Sequence, residues 1–202
     1  MTEAFWEEMY QARDRVWSGK PNGFLVDVVE PLPPGTALDL GCAEGADAVW
    51  LAKQGWKVTA VDVSPTALRR AAAAAEGLAI VFEQHDLGET FPEGTYDLVS
   101  AQFLQSPVEF PRERVLRQAA DAVAPGGLLL IVEHASVPPW SGMSGDVRLP
   151  TAAETLAALE LADGEWTVER MDAPEREVTG PEGRTATVSD NVIAARRVNS
   201  RP

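Results

Sequence analysis

Thr36-Ala-Leu-Asp-Leu-Gly-Cys-Ala-Glu-Gly45 leads into a helix-compatible segment, Ala46 to Gln54, and then into Lys57-Val-Thr-Ala-Val-Asp62. Two short apolar runs joined by a small-residue turn and a helix, with a carboxylate closing the second run, make one βαβ unit of about 30 residues. The two strand ends of such a unit share one edge of a parallel sheet. That edge is where nucleoside-type ligands bind.

The turn refines the ligand class. Gly41 and Gly45 allow a sharp bend and a close approach to the main chain, where a Cβ would obstruct. A dinucleotide fingerprint needs glycine at its first, third and sixth positions, and position 46 is Ala. A nucleoside without pyrophosphate therefore fits better. Asp62 is positioned to accept hydrogen bonds from two ribose hydroxyls, and the competing role of capping the next helix suits Ser64 better. Asp39 faces the turn and can meet an ammonium group. Glu44 reads as a solvated loop residue.

Further along, Ser64 caps a helix opened by Pro65, which runs through five alanines to Gly77. Leu78 to Glu83 is the third strand and Tyr96 to Ala101 the fourth. A helix spans Arg112 to Ala124, Pro125-Gly-Gly127 breaks it, and Leu128 to Val132 is a fully apolar fifth strand. This alternation predicts a parallel sheet with helices on both faces. In the tail, Val137 to Gly145 reads as loop and Thr151 to Leu161 as helix. Trp166 to Arg170 and Asn191 to Arg197 are two further strands joined by a long connection. Toward the N-terminus, a helix over Phe24 to Val29 precedes Pro33-Pro-Gly35. Residues 1–23 hold Phe5, Trp6, Met9 and Tyr10 near helical spacing, followed by the turn-rich Trp17-Ser-Gly-Lys-Pro-Asn22. That segment is either a lid or a strap whose Trp17 plugs an apolar groove.

The chain of 202 residues, 45% hydrophobic and 24% charged, suits a single domain over 1–202, and no apolar run approaches the roughly 20 residues of a membrane span. An acidic N-terminus without a basic and apolar leader predicts a cytoplasmic protein. The single cysteine, Cys42, cannot pair within the chain, and two histidines, His85 and His134, make no zinc site, so no metal is expected. A net charge of −14 disfavours nucleic acid, whose binding draws on Lys and Arg. A small-molecule partner is expected. The sequence does not reveal the oligomeric state.

At the later strand ends, Asp86 can accept from an exocyclic amine while Leu87 offers a backbone N–H, or Asp86 simply forms a turn. Gln102 and Phe103 close the fourth strand. His134 follows the fifth, as a substrate contact or as a structural histidine.

Together these motifs resemble the class I S-adenosylmethionine-dependent methyltransferases. Asp39-Leu-Gly-Cys-Ala-Glu-Gly45 is similar to the family's acidic-x-Gly-x-Gly-x-Gly loop, with Ala43 replacing the middle glycine. Asp62 is similar to its ribose-binding acid, His85-Asp86-Leu87 to its adenine-edge motif, and Ala124-Pro-Gly-Gly-Leu128 to the turn before its fifth strand. The aromatic N-terminus more loosely resembles the tellurite-resistance and thiopurine branch. The resemblance implies a Rossmann-like, doubly wound α/β fold with a seven-stranded, mostly parallel sheet and an antiparallel last strand. It implies a cofactor core over 36–135 and a C-terminal helix and strand pair over 136–202. S-adenosylmethionine is the implied cofactor and S-adenosylhomocysteine the product. Asp39, Gly41, Cys42, Ala43, Gly45, Asp62, Val63, Asp86, Leu87, Gln102 and Phe103 are the implied cofactor contacts. Trp6, Tyr10, Arg13, Trp17, Gln102 and His134 are candidates for the acceptor pocket, and Arg13 and Arg15 either hold an acidic acceptor or lie on a solvated helix face.

The expected reaction is methyl transfer to a small-molecule nucleophile, with a thiol or another soft acceptor favoured because no general base stands out. An NAD-linked oxidoreductase and a non-catalytic cofactor-binding protein are the alternatives.

Overall fold

The computed structural model describes residues 2–141 and 148–199, so part of the loop expected over 137–145 lies outside the described residues. Five parallel strands form the centre: β1 (Thr36–Leu40), β2 (Lys57–Asp62), β3 (Ile80–Gln84), β4 (Tyr96–Gln102) and β5 (Val123–His134). Antiparallel strands β6 (Trp166–Asp172), β7 (Glu175–Thr179) and β8 (Thr185–Arg197) complete the sheet. The order is β3-β2-β1-β4-β5-β8-β6, with β7 paired to the outer part of β8. The order reverses between β1 and β4, which opens a crevice at their C-terminal ends.

Period-two alternation divides the core between two faces. Leu38, Leu40, Val99, Leu129 and Ile131 pack on one side under α5 (Arg112–Asp121) and α6 (Ala152–Ala158). Ala37, Leu98, Leu128, Leu130 and Val132 pack on the other under α2 (Gly23–Val29) and α3 (Ala46–Lys53). Local chemistry starts the helices. Asn22 accepts from the Phe24 N–H before α2, and Ser64 accepts from Ala67 at 3.1 Å before α4 (Pro65–Ala74). Thr151 and Glu154 form a reciprocal capping box at α6. Helix α1 (Thr2–Gln11) lies against α4.

Three expectations change. The sheet has eight strands and not seven, because Glu175-Arg-Glu-Val-Thr179, within the supposed connection, pairs with β8. Its charged residues hid it, since only Arg176 and Val178 are half-buried. Pro125-Gly-Gly127 does not precede β5 but bulges inside it. Tyr96 pairs with Val123 and Leu98 with Leu128, and Gly126 takes the left-handed φ of 81° that this detour requires. Helix α5 accordingly ends at Asp121, short of the expected Ala124.

Candidate active site

The crevice is built from the turn after β1. Cys42 donates its N–H to Val61 O at 2.8 Å and Gly45 donates to Cys42 O at 2.8 Å, so the turn folds over the end of β2. Gly41 and Gly45 have φ of 70° and 82°. A Cβ on Gly41 would stand 2.8 Å from Leu104 Cδ1, and one on Gly45 2.8 Å from Ala71 Cβ. Both glycines are therefore fixed by conformation and by space. Ala43 adopts φ 52°, the left-handed region where glycine is favoured.

Three carboxylates surround this turn. Asp39 is buried and accepts from the Ala48 N–H, yet its Oδ2 has no hydrogen-bond partner among the described residues. Burial, reinforced by Asp47 and Asp62, pushes its carboxyl well above the usual range. Asp47 accepts from Asn22 N–H at 2.7 Å, and burial raises it to about 6. Asp62 accepts from Ala43 N–H and Ser64 N–H, both at 2.9 Å. Burial raises its carboxyl despite those bonds. A buried, unpartnered carboxylate oxygen among two further acids calls for a cation, and an ammonium group meets that need.

The N-terminal segment lies across the turn. Glu44 is not a solvated loop residue. It accepts from the Val16 and Trp17 N–H groups at 3.2 and 3.1 Å and pairs with Arg70 at 3.0 Å. Burial would raise its carboxyl, and these bonds outweigh it and lower it. Arg70 also donates to the carbonyls of Tyr10 and Arg13. Tyr10 is buried, accepts from Trp17 Nε1 at 2.9 Å, and is raised above its ordinary value by burial and then by the charge of Asp62. Trp17 is 49% exposed, so it lies over Tyr10 and plugs no groove. Asn22 Nδ2 donates to Gln102 Oε1 at 2.8 Å, and Gln102 Nε2 donates to Ser100, so Gln102 ties the strap to β4. Glu7 accepts from the hydroxyls of Ser64 and Thr66 at 2.6 and 2.5 Å and latches α1 onto the start of α4.

The remaining candidates separate. Asp86 accepts from Gly88 N–H at 3.0 Å, the turn-forming role, and Leu87 is buried beside it. The Val63 carbonyl accepts from Gln84. Trp6 meets Phe5 edge-on at 5.4 Å. The Arg13 and Arg15 side chains are exposed, and for Arg13 only the carbonyl is engaged. Phe103 takes a left-handed φ of 53° and stacks against His134 with ring centroids 4.3 Å apart. His134 Nδ1 is 3.1 Å from Asp190 Oδ1, and Asp190 also pairs with Arg176. Sequence reasoning missed Glu7, Asn22, Asp47 and Asp190. Asn22 alone left a signal, as a capping residue before a helix. Among the described residues no group of three or more His, Cys, Asp or Glu is arranged to hold a metal, and no helix is long and apolar enough to cross a membrane.

A methyltransferase-domain family profile matches residues 37–127. The 2-heptyl-1-hydroxyquinolin-4(1H)-one methyltransferase of Mycobacteroides abscessus is 31% identical over 163 residues, which cover 76% of this chain and 69% of that protein. Ribosomal RNA small subunit methyltransferase C of Alcanivorax borkumensis is 33% identical over 114 residues, covering 52% of this chain but 34% of that one. Among solved structures, one described as "Conversion of a Disulfide Bond into a Thioacetal Group during Echinomycin Biosynthesis" superposes with a TM-score of 0.75 at 28% identity, covering 100% of this chain and 94% of that one.

Proposed function

Since the chain belongs to the class I S-adenosylmethionine-dependent methyltransferases, its reaction is methyl transfer, and we propose that the acceptor is a small molecule received beneath the strap of residues 12–22. The observation that carries this reading is the fastening of the strap over the turn after β1. Glu44 holds Val16 and Trp17, Tyr10 holds the Trp17 indole, and Asn22 holds Gln102. A strap fastened across the turn suits a compact acceptor better than a polymer. The net charge of −14 supports the same choice against RNA, because a polynucleotide would need its phosphates neutralised.

S-adenosylmethionine supplies, when bound, a methyl group on a sulfonium, a good leaving group. In this reading Asp62 accepts from its ribose hydroxyls and Asp39 receives its ammonium. The unpartnered Oδ2 of Asp39 supports that fit. Gly41 and Gly45, with Cys42 and Ala43 between them, let the main chain come close. Leu87 and Asp86 border the adenine edge, with Asp86 limited by its own turn. Val63, Gln102 and Phe103 line the remainder. The protein's task is then to exclude water and hold donor and acceptor in line. Tyr10 and Phe103 supply apolar walls for that purpose, and Trp6 and the exposed Trp17 flank them. Aromatic faces there also favour a cationic donor. The exposed Arg13 is left outside this wall.

The quinolone-acting relative supports an aromatic heterocycle as acceptor class, alongside the thiol that the sequence favoured. The test is S-adenosylhomocysteine release with thiols, phenols, 1-hydroxyquinolin-4(1H)-ones and amines, beside the small ribosomal subunit. Turnover of a small molecule with none of RNA is expected. Methylation confined to RNA would overturn the reading.

A further inference from the structure

The chain's two histidines are held differently. His85 has both ring nitrogens engaged, Nδ1 with Thr90 at 2.9 Å and Nε2 with Glu83 at 3.2 Å. His134 has one. Its Nδ1 faces Asp190 Oδ1 at 3.1 Å, across the β5–β8 register that pairs the two residues directly, and no described residue bonds Nε2. The imidazole is 35% exposed, while the Asp190 side chain is wholly buried and braced from its other oxygen by Arg176. Burial alone would raise the Asp190 carboxyl, but the bonds from His134 and Arg176 outweigh it and keep it ionised. An ionised carboxylate at Nδ1 draws the proton to that nitrogen. The lone pair is left on Nε2 of the partly exposed ring.

His134 ends β5 at the sheet edge where β4 ends at Gln102, the edge that carries the crevice. Phe103 donates its N–H to Val132 O at 2.7 Å and stacks on the imidazole. The next residue, Leu104, is the one a Cβ on Gly41 would strike. Phe103 thus joins His134 to the chain segment whose Leu104 reaches the turn after β1. The left-handed backbone of Phe103 is costly for an aromatic residue, and it holds the ring in that position. A purely structural ion pair would not need the histidine, because Arg176 already neutralises Asp190.

We propose that His134 is the general base of the methyl transfer, with Asp190 as its positioning residue, and that the acceptor is a weakly acidic hydroxyl, a phenol or an N-hydroxy heterocycle, that arrives protonated. Nε2 takes the hydroxyl proton as the oxygen–methyl bond forms. The sulfur–methyl bond breaks with its electron pair passing to sulfur, giving methyl ether and S-adenosylhomocysteine, and the imidazole then releases its proton to solvent. This rests on the small-molecule reading above and moves the acceptor from the soft thiol toward oxygen.

The test uses a series of para-substituted phenols and 1-hydroxyquinolin-4(1H)-ones of graded acidity with wild type, His134→Gln and Asp190→Asn. His134→Gln should lose about 100-fold in kcat/KM on the least acidic acceptors and under about threefold on those already ionised. S-adenosylhomocysteine affinity should be unchanged. Asp190→Asn should fall between. In long-range 1H–15N spectra, the His134 ring should be the Nδ1–H tautomer in wild type, assigned with the aid of His85→Gln. Equal loss across the series, weakened S-adenosylhomocysteine binding in His134→Gln, or an Nε2–H tautomer would overturn the proposal. Turnover of thiols with no hydroxyl methylated would overturn it while leaving the small-molecule reading intact. Methylation of RNA alone would remove that reading as well.

Discussion

Ala43 holds a left-handed φ of 52° in the turn after β1, a conformation that costs a residue with a Cβ about 1 kcal/mol. Ala43→Gly should therefore stabilise the folded chain by about 1 kcal/mol, less the entropy that glycine adds to the unfolded state. Urea unfolding measures this, and a clear destabilisation would show that the methyl group packs favourably. The acids around the turn give a pH prediction. Asp39, Asp47 and Asp62 all have raised carboxyls, so the folded chain binds their protons more tightly than the unfolded chain does. Their stabilising protonation is complete below the ordinary value of 3.8 and is lost as pH rises, for Asp47 through about 6. A bound cation offsets that loss. The upward shift in melting temperature given by S-adenosylmethionine should thus be larger at pH 7 than at pH 5, and a shift of equal size at both would contradict it. At this scale the sequence was legible where backbone chemistry restricts residue type, as at Gly41 and Gly45. It was opaque at Glu44, because nothing in a loop carboxylate announces the N–H groups of Val16 and Trp17, 28 and 27 residues away.

In the proposed reading, α1 and the strap after it set the acceptor space. Glu7 accepts from Ser64 and Thr66, and these bonds outweigh desolvation to bring its carboxyl from 4.5 to about 2. A depressed carboxyl contributes stability above its ordinary value and loses it as pH falls toward about 2. The contribution is small, since the group is largely open to solvent. Glu7→Gln should speed amide exchange in Thr2–Gln11 while leaving the central strands protected, and unchanged exchange would mean that apolar contacts alone hold the helix. Glu44→Gln should loosen residues 13–22 and raise acceptor KM more than it lowers kcat. Equal protease sensitivity in both proteins would contradict the latch. Helical spacing made α1 readable and the caps Ser64 and Thr151 made α4 and α6 readable, while α3 was read from its place between two strands. Strand β7 was not, because an edge strand paired to one neighbour needs little apolar surface, and the bulge at Pro125-Gly-Gly127 depends on its partner Tyr96–Leu98.

In the whole molecule, the parallel half is tied to the antiparallel tail by buried polar groups. Glu133 is fully buried, pairs with Arg112, and accepts from Thr155 Oγ1 at 2.7 Å and Asn191 Nδ2 at 2.8 Å, joining α5, α6 and β8 to β5. Removing one partner of such a network leaves uncompensated groups, so Glu133→Ala should cost about 3–5 kcal/mol, measured by chemical denaturation. A loss below about 1 kcal/mol would show that solvent reaches the site. The alternation of strands and helices made the parallel half legible from sequence, whereas the contacts of Glu133 and His134 with β8 depend on register across more than 50 intervening residues. Cofactor recognition by Asp62 and Asp39 is the claim on which the rest depends. Calorimetric titration of S-adenosylhomocysteine into wild type, Asp62→Ala and Asp39→Asn tests it most directly. Wild type should bind one equivalent and take up no NADH, and Asp62→Ala should lose about 1–3 kcal/mol of binding free energy, with Asp39→Asn weakened in the same direction. Unchanged affinity in both variants, or preference for NADH, would contradict the account.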